Sequence, residues 1–321
     1  MKNGINVLSL CDGISCGQVA LKKAGIKVNK YYASEIDKSC IEITQKNFPN
    51  TIQLGDMREI NTEELPKINL LMAGTPCQDL SSFNQKRQGL NGTRSSLFWH
   101  FVKIKWEVEP KFFLLENVRM KKEWADIITK ELGVNPIEIN SADFSAQNRR
   151  RLYWTNIPIL KWSKKNVKFK DVLNNLPFRD IPKCFFTRWG DKRRMRGLNW
   201  VFNQKGNCLT TKNCHTNQYL LNRDKSKIRL LSADEFERLQ TLPIGYTKEL
   251  SNSERFKVIG NGWTINVIAH LLRGLNEAPN FTQLSLPSAD GDIIIAKSNK
   301  IKDFTSDSSA DGRTFADTKG I

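Results

Sequence analysis

Short apolar runs alternate with helix-period segments through the first half of this sequence, and that rhythm admits few folds. Ile5 to Leu10 is an apolar run; a Gly-containing turn follows, and Val19, Ala20, Leu21 and Ala24 then repeat at helical spacing up to Gly25. Val28 to Ala33 is strand-like again, Asp37 opens a second helix, Thr51 to Leu54 is a short strand, and Ile68 to Ala73 is a buried apolar run. Leu97, Phe101, Ile104 and Val108 form the stripe of an amphipathic helix ahead of another core strand, Phe112 to Leu115. Strands joined through helices run parallel, and apolar strands of this kind are covered on both faces. The expected architecture is α/β, a doubly wound and mainly parallel sheet.

The rhythm stops near residue 160. From Lys161 to Lys227 basic residues interleave with Trp162, Trp189, Trp200 and turn residues, without a long periodic helix. We read residues 1–160 as the catalytic domain and 161–227 as a separate small domain. Residues 228–276 return to the first domain: Ser232 followed by Glu235 has the pattern of a capping box, and Trp263 to Leu275 has that of a helix. Residues 277–321, rich in Ser, Asp, Lys and Gly, read as a flexible tail.

The balance of 50 Lys and Arg against 33 Asp and Glu gives a formal net charge of +17, which suits a polyanionic partner, nucleic acid before an anionic membrane. No stretch reaches the roughly 18 apolar residues of a spanning helix, and the N-terminus lacks a signal-peptide pattern, so an intracellular, cytoplasmic protein without a membrane partner is expected. Seven cysteines without a CxxC pair, and three scattered histidines, indicate neither a disulfide framework nor a metal site. A reducing compartment leaves room for one reactive thiol among inert ones.

Which thiol that is depends on position. The loop Cys11-Asp12-Gly13-Ile14-Ser15-Cys16-Gly17 leaves a strand and enters a helix, and Glu35 and Asp56 follow the second and third strands. In sequence along one sheet these suit a nucleoside ligand, with Glu35 on ribose hydroxyls; separately they read as a turn and two solvated caps. The fourth strand runs into Gly74-Thr75-Pro76-Cys77-Gln78-Asp79-Leu80-Ser81. Cys77 thus sits at the carboxyl end of a strand, where ligands bind and a positive environment would lower its pKa. Glu116 ends the Phe112 to Leu115 strand, beside Cys77 if the two strands are neighbours. In Gln147-Asn148-Arg149-Arg150-Arg151, which leads into a strand at Leu152 to Thr155, alternation sends Arg149 and Arg151 to one face.

Taken together, Pro76-Cys77-Gln78, Glu116-Asn117-Val118, Gln147-x-Arg149-x-Arg151 and Gly260-Asn261-Gly262-Trp263 resemble, in order and spacing, the signature motifs of cytosine carbon-5 DNA methyltransferases, over about residues 5 to 275. Asp12-Gly13-Ile14, Asp79-Leu80-Ser81 and the Arg87 to Phe98 loop look nearest to the animal de novo branch and its phage and bacterial relatives. The resemblance implies S-adenosyl-L-methionine as cofactor, held by the Asp12 to Gly17 backbone, Glu35, Ile36, Asp56, Gly74, Asn261 and Trp263, the last of these alternatively a core aromatic. Cys11 stands where many members carry an aromatic residue, which implies weaker stacking on adenine.

It further implies that Cys77 adds to carbon 6 of cytosine, that Glu116 holds the ring at nitrogen 3 and the exocyclic amine, and that Arg149 and Arg151 place positive charge near the ring oxygen and Cys77. The substrate that the resemblance implies is duplex DNA with the target base flipped out, contacted by Gln78, Ser81, Thr211 and Lys212, the last two within a target-recognition domain at 161–227. Lys192-Arg193-Arg194-Met195-Arg196 is equally a phosphate-binding cluster or a solvated face. A monomer is expected. The rival readings are a tRNA cytosine methyltransferase and an inactive DNA-binding regulator; the second would be expected to lack Cys77, Glu116 or the arginines, all of which are present. The family's settings include restriction-modification, phage self-protection and epigenetic marking.

Overall fold

Seven strands form the main sheet of the computed structural model, in the order β3-β2-β1-β4-β5-β7-β6. They are β1 Ile5–Leu10, β2 Val28–Ser34, β3 Ile52–Gln53, β4 Leu70–Gly74, β5 Phe112–Val118, β6 Ile137–Asn140 and β7 Arg150–Thr155. The structure describes residues 4–81, 88–92, 95–180, 199–200, 204–209, 219–224 and 226–278. Pairs β1/β2, β2/β3, β1/β4 and β4/β5 are parallel, whereas β7 runs antiparallel to both β5 and β6. The sheet is therefore doubly wound and mainly parallel, with one reversed strand.

Its helices are α1 Cys16–Ala24, α2 Lys38–Asn47, α3 Leu97–Val108, α4 Lys122–Leu132, α5 Ala233–Leu239, α6 Asn252–Asn261 and α7 Ile265–Glu277. Successive strand residues point to opposite faces. Val7, Leu70, Met72, Phe112 and Leu114 enter one apolar cluster with Leu21 of α1 and Ile268 and Leu272 of α7. Leu8, Leu71, Ala73, Phe113 and Leu115 enter the other with Phe98 and Phe101 of α3 and Ile128 of α4. Strand residues that supply both clusters have no polar face, which is why these strands read as unbroken apolar runs.

Local signals mark several helix ends. Asp37 caps α2 by accepting from the Ser39 N–H, Gly25 closes α1 in the left-handed region, and Ser232 and Glu235 form a reciprocal capping box on α5. Ser251 and Glu254 form the same box on α6. Helix α7 begins at Ile265, two residues later than its apolar pattern suggests: Thr264 is the N-cap, and its hydroxyl donates to Oε1 of Gln240 at 2.7 Å. The strand expected at Thr51 to Leu54 shrinks to Ile52–Gln53, whereas β5 extends to Val118, so that Glu116 lies inside the strand.

Within residues 161–227 the described segments contribute β8 Arg179–Asp180, β9 Asn199–Trp200 and β10 Tyr219–Leu221, which join β11 Lys227–Leu230 in a second sheet of order β8-β11-β10-β9. Leu209 and Leu220 are buried in the same cluster as Phe236 of α5. The tail from residue 279 and the cluster Lys192 to Arg196 lie outside the described residues. No helix among the described residues is long and apolar enough to cross a membrane.

Helix α7 packs on α1 and crosses the chain after β7, where a Cβ on Gly274 would overlap the Pro158 carbonyl oxygen. Gly274→Ala is expected to lower the unfolding free energy by about 3 kcal/mol despite alanine's better helix propensity, because backbone must move to admit the methyl group. Denaturant unfolding of the two proteins measures the difference.

Candidate active site

The order β2-β1-β4 puts a topological switch between β1 and β4, and the crevice outside the carboxyl ends of these strands is where open α/β sheets bind ligands. The loop after β1 is wound tightly there: Cys11, Gly13 and Ser15 all have positive φ, at 52°, 59° and 56°. Two non-glycine residues in that region mark a backbone held under strain, as at ligand-binding loops. Asp12 turns inward, accepting from Ser15 Oγ at 2.6 Å and Tyr31 OH at 2.7 Å, and burial raises its pKa to about 6. What the loop offers a ligand is thus its backbone.

Glu35 stands at the end of β2 and accepts from the N–H groups of Gly13 (2.8 Å), Ile36 (2.8 Å) and Asp37 (2.9 Å). It ties the first loop to the second, while Ile36 beside it is 69% exposed and offers an apolar surface at the rim. Asp56 is gripped by Arg58, whose Nη2 lies 2.5 Å from Oδ2, and this pairing pulls its pKa down to about 2. A ligand amine meeting Asp56 must share that carboxylate with Arg58.

The chemical groups lie on the next two strands. In the β4/β5 register Gly74 is paired with Glu116, so the chain carrying Cys77 leaves β4 beside the Glu116 carboxylate. Asn117 fastens the two strand ends, its Nδ2 donating to Thr75 Oγ1 at 3.0 Å and to the Thr75 carbonyl at 3.3 Å. Beyond Cys77 the chain turns sharply: Leu80 and Ser81 both donate their N–H to the Cys77 carbonyl, at 3.0 and 2.9 Å. Gln78 is exposed on this turn. Glu116 is 8% exposed; its Oε1 is 3.0 Å from Arg151 Nε, and its Oε2 accepts from Trp263 Nε1 at 3.1 Å.

Arg149 and Arg151 do point to one face, and both guanidinium groups approach Cys208 Sγ, at 3.7 and 4.0 Å. Their surroundings differ, however. Arg149 is 4% exposed and donates to the carbonyls of Leu209, Gly260 and Gly262 at 3.5, 3.3 and 3.0 Å. It braces the chain around Trp263, and only Arg151 reaches the carboxylate. Gln147 is likewise structural: it accepts from the Leu209 N–H at 3.0 Å and donates to the Leu239 carbonyl and Gln240. Gln240 in turn donates to the carbonyls of Ile259 and Gly262. Asn261, at the end of α6, is exposed.

A positive environment was expected to lower the pKa of Cys77. Burial and the charge of Glu116 instead raise it, outweighing Arg151 and Arg149. The arginines act more strongly on Cys208, whose pKa they lower against the opposing effect of burial. The surroundings of Cys77 thus favour the thiol over the thiolate. Glu116→Gln is expected to speed its alkylation by iodoacetamide at pH 8 by roughly threefold, since removing the adjacent negative charge favours the thiolate. Peptide mass spectrometry over a time course reads that rate.

Sequence reasoning brought Cys77, Glu116 and Arg151 to one place. It did not anticipate Tyr31 under the first loop, Gln240 as a buried junction, Cys208 between the arginines, or Trp263 on Glu116. Of these only Trp263 had a local signal, its place in Gly260-Asn261-Gly262-Trp263. Thr211 and Lys212 lie outside the described residues.

The family described as C-5 cytosine-specific DNA methylase matches residues 5–183 and 163–277. The orphan methyltransferase M.SPRI of Bacillus phage SPR is 32% identical over 206 residues, covering 58% of this chain and 46% of that protein. The type II methyltransferase M.HhaI of Haemophilus parahaemolyticus is 25% identical over 326 residues, covering 87% and 96%. The chain thus spans about half the length of M.SPRI and nearly all of M.HhaI; three further type II methyltransferases are covered to 46%, 40% and 48%. Among solved structures, the S. pombe Dnmt2 methyltransferase superposes with a TM-score of 0.67 at 19% identity, over 86% of this chain and all of that one, a likeness of fold. Because the family match runs from β1 to the end of α7, across the strands that bear Cys77, Glu116 and Arg151, the chain belongs to the C-5 cytosine-specific DNA methylases.

Proposed function

We propose that this protein methylates carbon 5 of cytosine in double-stranded DNA, using S-adenosyl-L-methionine and a covalent adduct at Cys77. The observation that carries the reading is the pairing of Gly74 with Glu116, which sets a thiol and a carboxylate at the ends of adjacent strands with Arg151 on the carboxylate. The first loop fits a nucleoside cofactor: its positive-φ backbone lies open at Gly13, Glu35 stands beside it, and Ile36 presents an apolar surface. When bound, that cofactor supplies an electrophilic methyl group on sulfur.

The protein's part is to make carbon 5 nucleophilic. The Cys77 thiolate forms a bond to carbon 6, and the electrons of the 5,6 double bond move towards carbon 5 and the nitrogen 3 edge of the ring. Glu116 holds that edge, and Arg151 steadies the carboxylate as negative charge builds. Once carbon 5 is alkylated, loss of its proton to a base restores the double bond and expels the Cys77 thiolate. Burial and the Glu116 charge oppose the Cys77 thiolate, and a cationic cofactor would offset the second of these.

The target base must leave the helix to reach this crevice, and in this reading Gln78 and Ser81 on the Cys77 turn contact the flipped nucleotide. Residues 161–227 form the target-recognition element in this reading, with Thr211 and Lys212 among its contacts, and the excess of 17 positive charges serves the phosphate backbone. Incubation with labelled S-adenosylmethionine and duplex DNA, with tRNA in parallel, followed by sequencing of modified positions, tests the proposal. Label at carbon 5 of cytosine in DNA is expected; label in tRNA alone, or in neither, would refute it.

A further inference from the structure

Trp263 stands where three parts of the site meet. Its indole N–H donates to Oε2 of Glu116 at 3.1 Å, while Arg151 holds Oε1. The ring crosses Gly74 so closely that a Cβ there would come within 2.8 Å of Nε1, and its far edge, Cζ3, is 3.7 Å from where a Cβ of Gly17 would stand. The backbone on either side is pinned. The Gly262 carbonyl accepts from Arg149 at 3.0 Å and from Gln240 at 2.9 Å, and Thr264 donates to Gln240 at 2.7 Å.

Packing alone does not require this arrangement. Phenylalanine would fill most of the slot over Gly74, but only an indole also presents a donor to the carboxylate. With one donor on each oxygen, the plane of the Glu116 carboxyl group is set; with Arg151 alone it can turn about its terminal bond. A group that must meet two atoms on one edge of a flat base is sensitive to that rotation.

We infer that Trp263 is a positioning residue for Glu116, its indole N–H fixing the plane of the carboxyl group that is presented to the base. This rests on the reading of Glu116 as the group that holds the cytosine ring.

The test compares Trp263→Phe, Glu116→Gln and the double variant with the native protein. In Glu116→Gln, Arg151 claims the amide oxygen and leaves the NH2 group facing the indole, so the acceptor for Trp263 is lost. S-adenosylhomocysteine affinity is measured by calorimetry, methyl transfer to DNA in a single turnover, and unfolding in denaturant. For Trp263→Phe the affinity is expected to stay within about threefold while the single-turnover rate falls roughly tenfold. In the Glu116→Gln background the same change is expected to cost less than threefold in rate, and the unfolding constants to show a coupling of about tenfold.

A rate within twofold of native, a rate loss that merely follows lost affinity, or additive effects in the double variant would overturn the inference. If the native protein transfers no methyl group to DNA, the functional proposal fails. The unfolding cycle then decides the Trp263 to Glu116 coupling alone, tenfold coupling supporting it and additivity refuting it.

Discussion

Cys77→Ser protein is expected to transfer methyl groups at least about a thousandfold more slowly than the native chain while unfolding at the same denaturant concentration and binding S-adenosylhomocysteine with unchanged affinity. A serine hydroxyl has the shape of the thiol but ionises far less readily, and among the described residues around position 77 the arginines are cations and Glu116 is held by Arg151 and Trp263. A thousandfold is about 4 kcal/mol of activation free energy, well outside what repacking of one half-buried side chain produces. Duplex DNA with 5-fluorocytosine at the target position provides a second readout. Carbon 5 then has no proton to release, so native protein should remain covalently attached to the DNA and the variant should not. Undiminished transfer by the serine protein would remove Cys77 from the mechanism.

The two arginines of the Gln-x-Arg-x-Arg motif are expected to fail in different ways. Arg149→Met takes the guanidinium donor from the carbonyls of Leu209 and Gly260, and from that of Gly262, which keeps Gln240. Unsatisfied buried polar groups cost about 1–3 kcal/mol each, so a loss of about 4 kcal/mol in unfolding free energy, and a melting temperature lower by about 10 °C, are expected. Arg151→Met removes one partner of a carboxylate that retains Trp263, and the expected loss is about 2 kcal/mol. Its effect on the single-turnover rate should be the larger, at least about a hundredfold, because of the two arginines only Arg151 touches Glu116. Thermal unfolding and single-turnover kinetics on both proteins make the comparison. Native stability in the Arg149 variant together with lost turnover would return that residue to the reacting base.

Much of this site was legible before any coordinates, for a definite reason. Cys77 and Glu116 lie at or just after the carboxyl ends of two neighbouring parallel strands, which open on one crevice, whereas Arg151 comes to the same place from the amino end of the reversed β7. Chain order and periodicity therefore predict a meeting, provided the strands are neighbours. The motif spacing reached Arg149 as well, but spacing reports which face a side chain takes and not what awaits it there. On that face Arg149 finds three backbone carbonyls from chain segments 60 to 113 residues away. The sign of the Cys77 shift was misjudged for the same reason, since desolvation depends on neighbours that the local sequence does not name.

The sequence by itself determined the alternation of strand and helix, the capping residues that end the helices, and the side chains that carry the chemistry, because each of these depends on residues close together in the chain. Only the tertiary structure decided that β7 runs against its neighbours, that Gln240 and Arg149 brace the chain around Trp263, and that an indole donor settles on Glu116 from 147 residues away. Those contacts join segments remote in sequence, and whether a donor meets an acceptor there follows from how the two apolar clusters pack, which no short stretch of residues encodes.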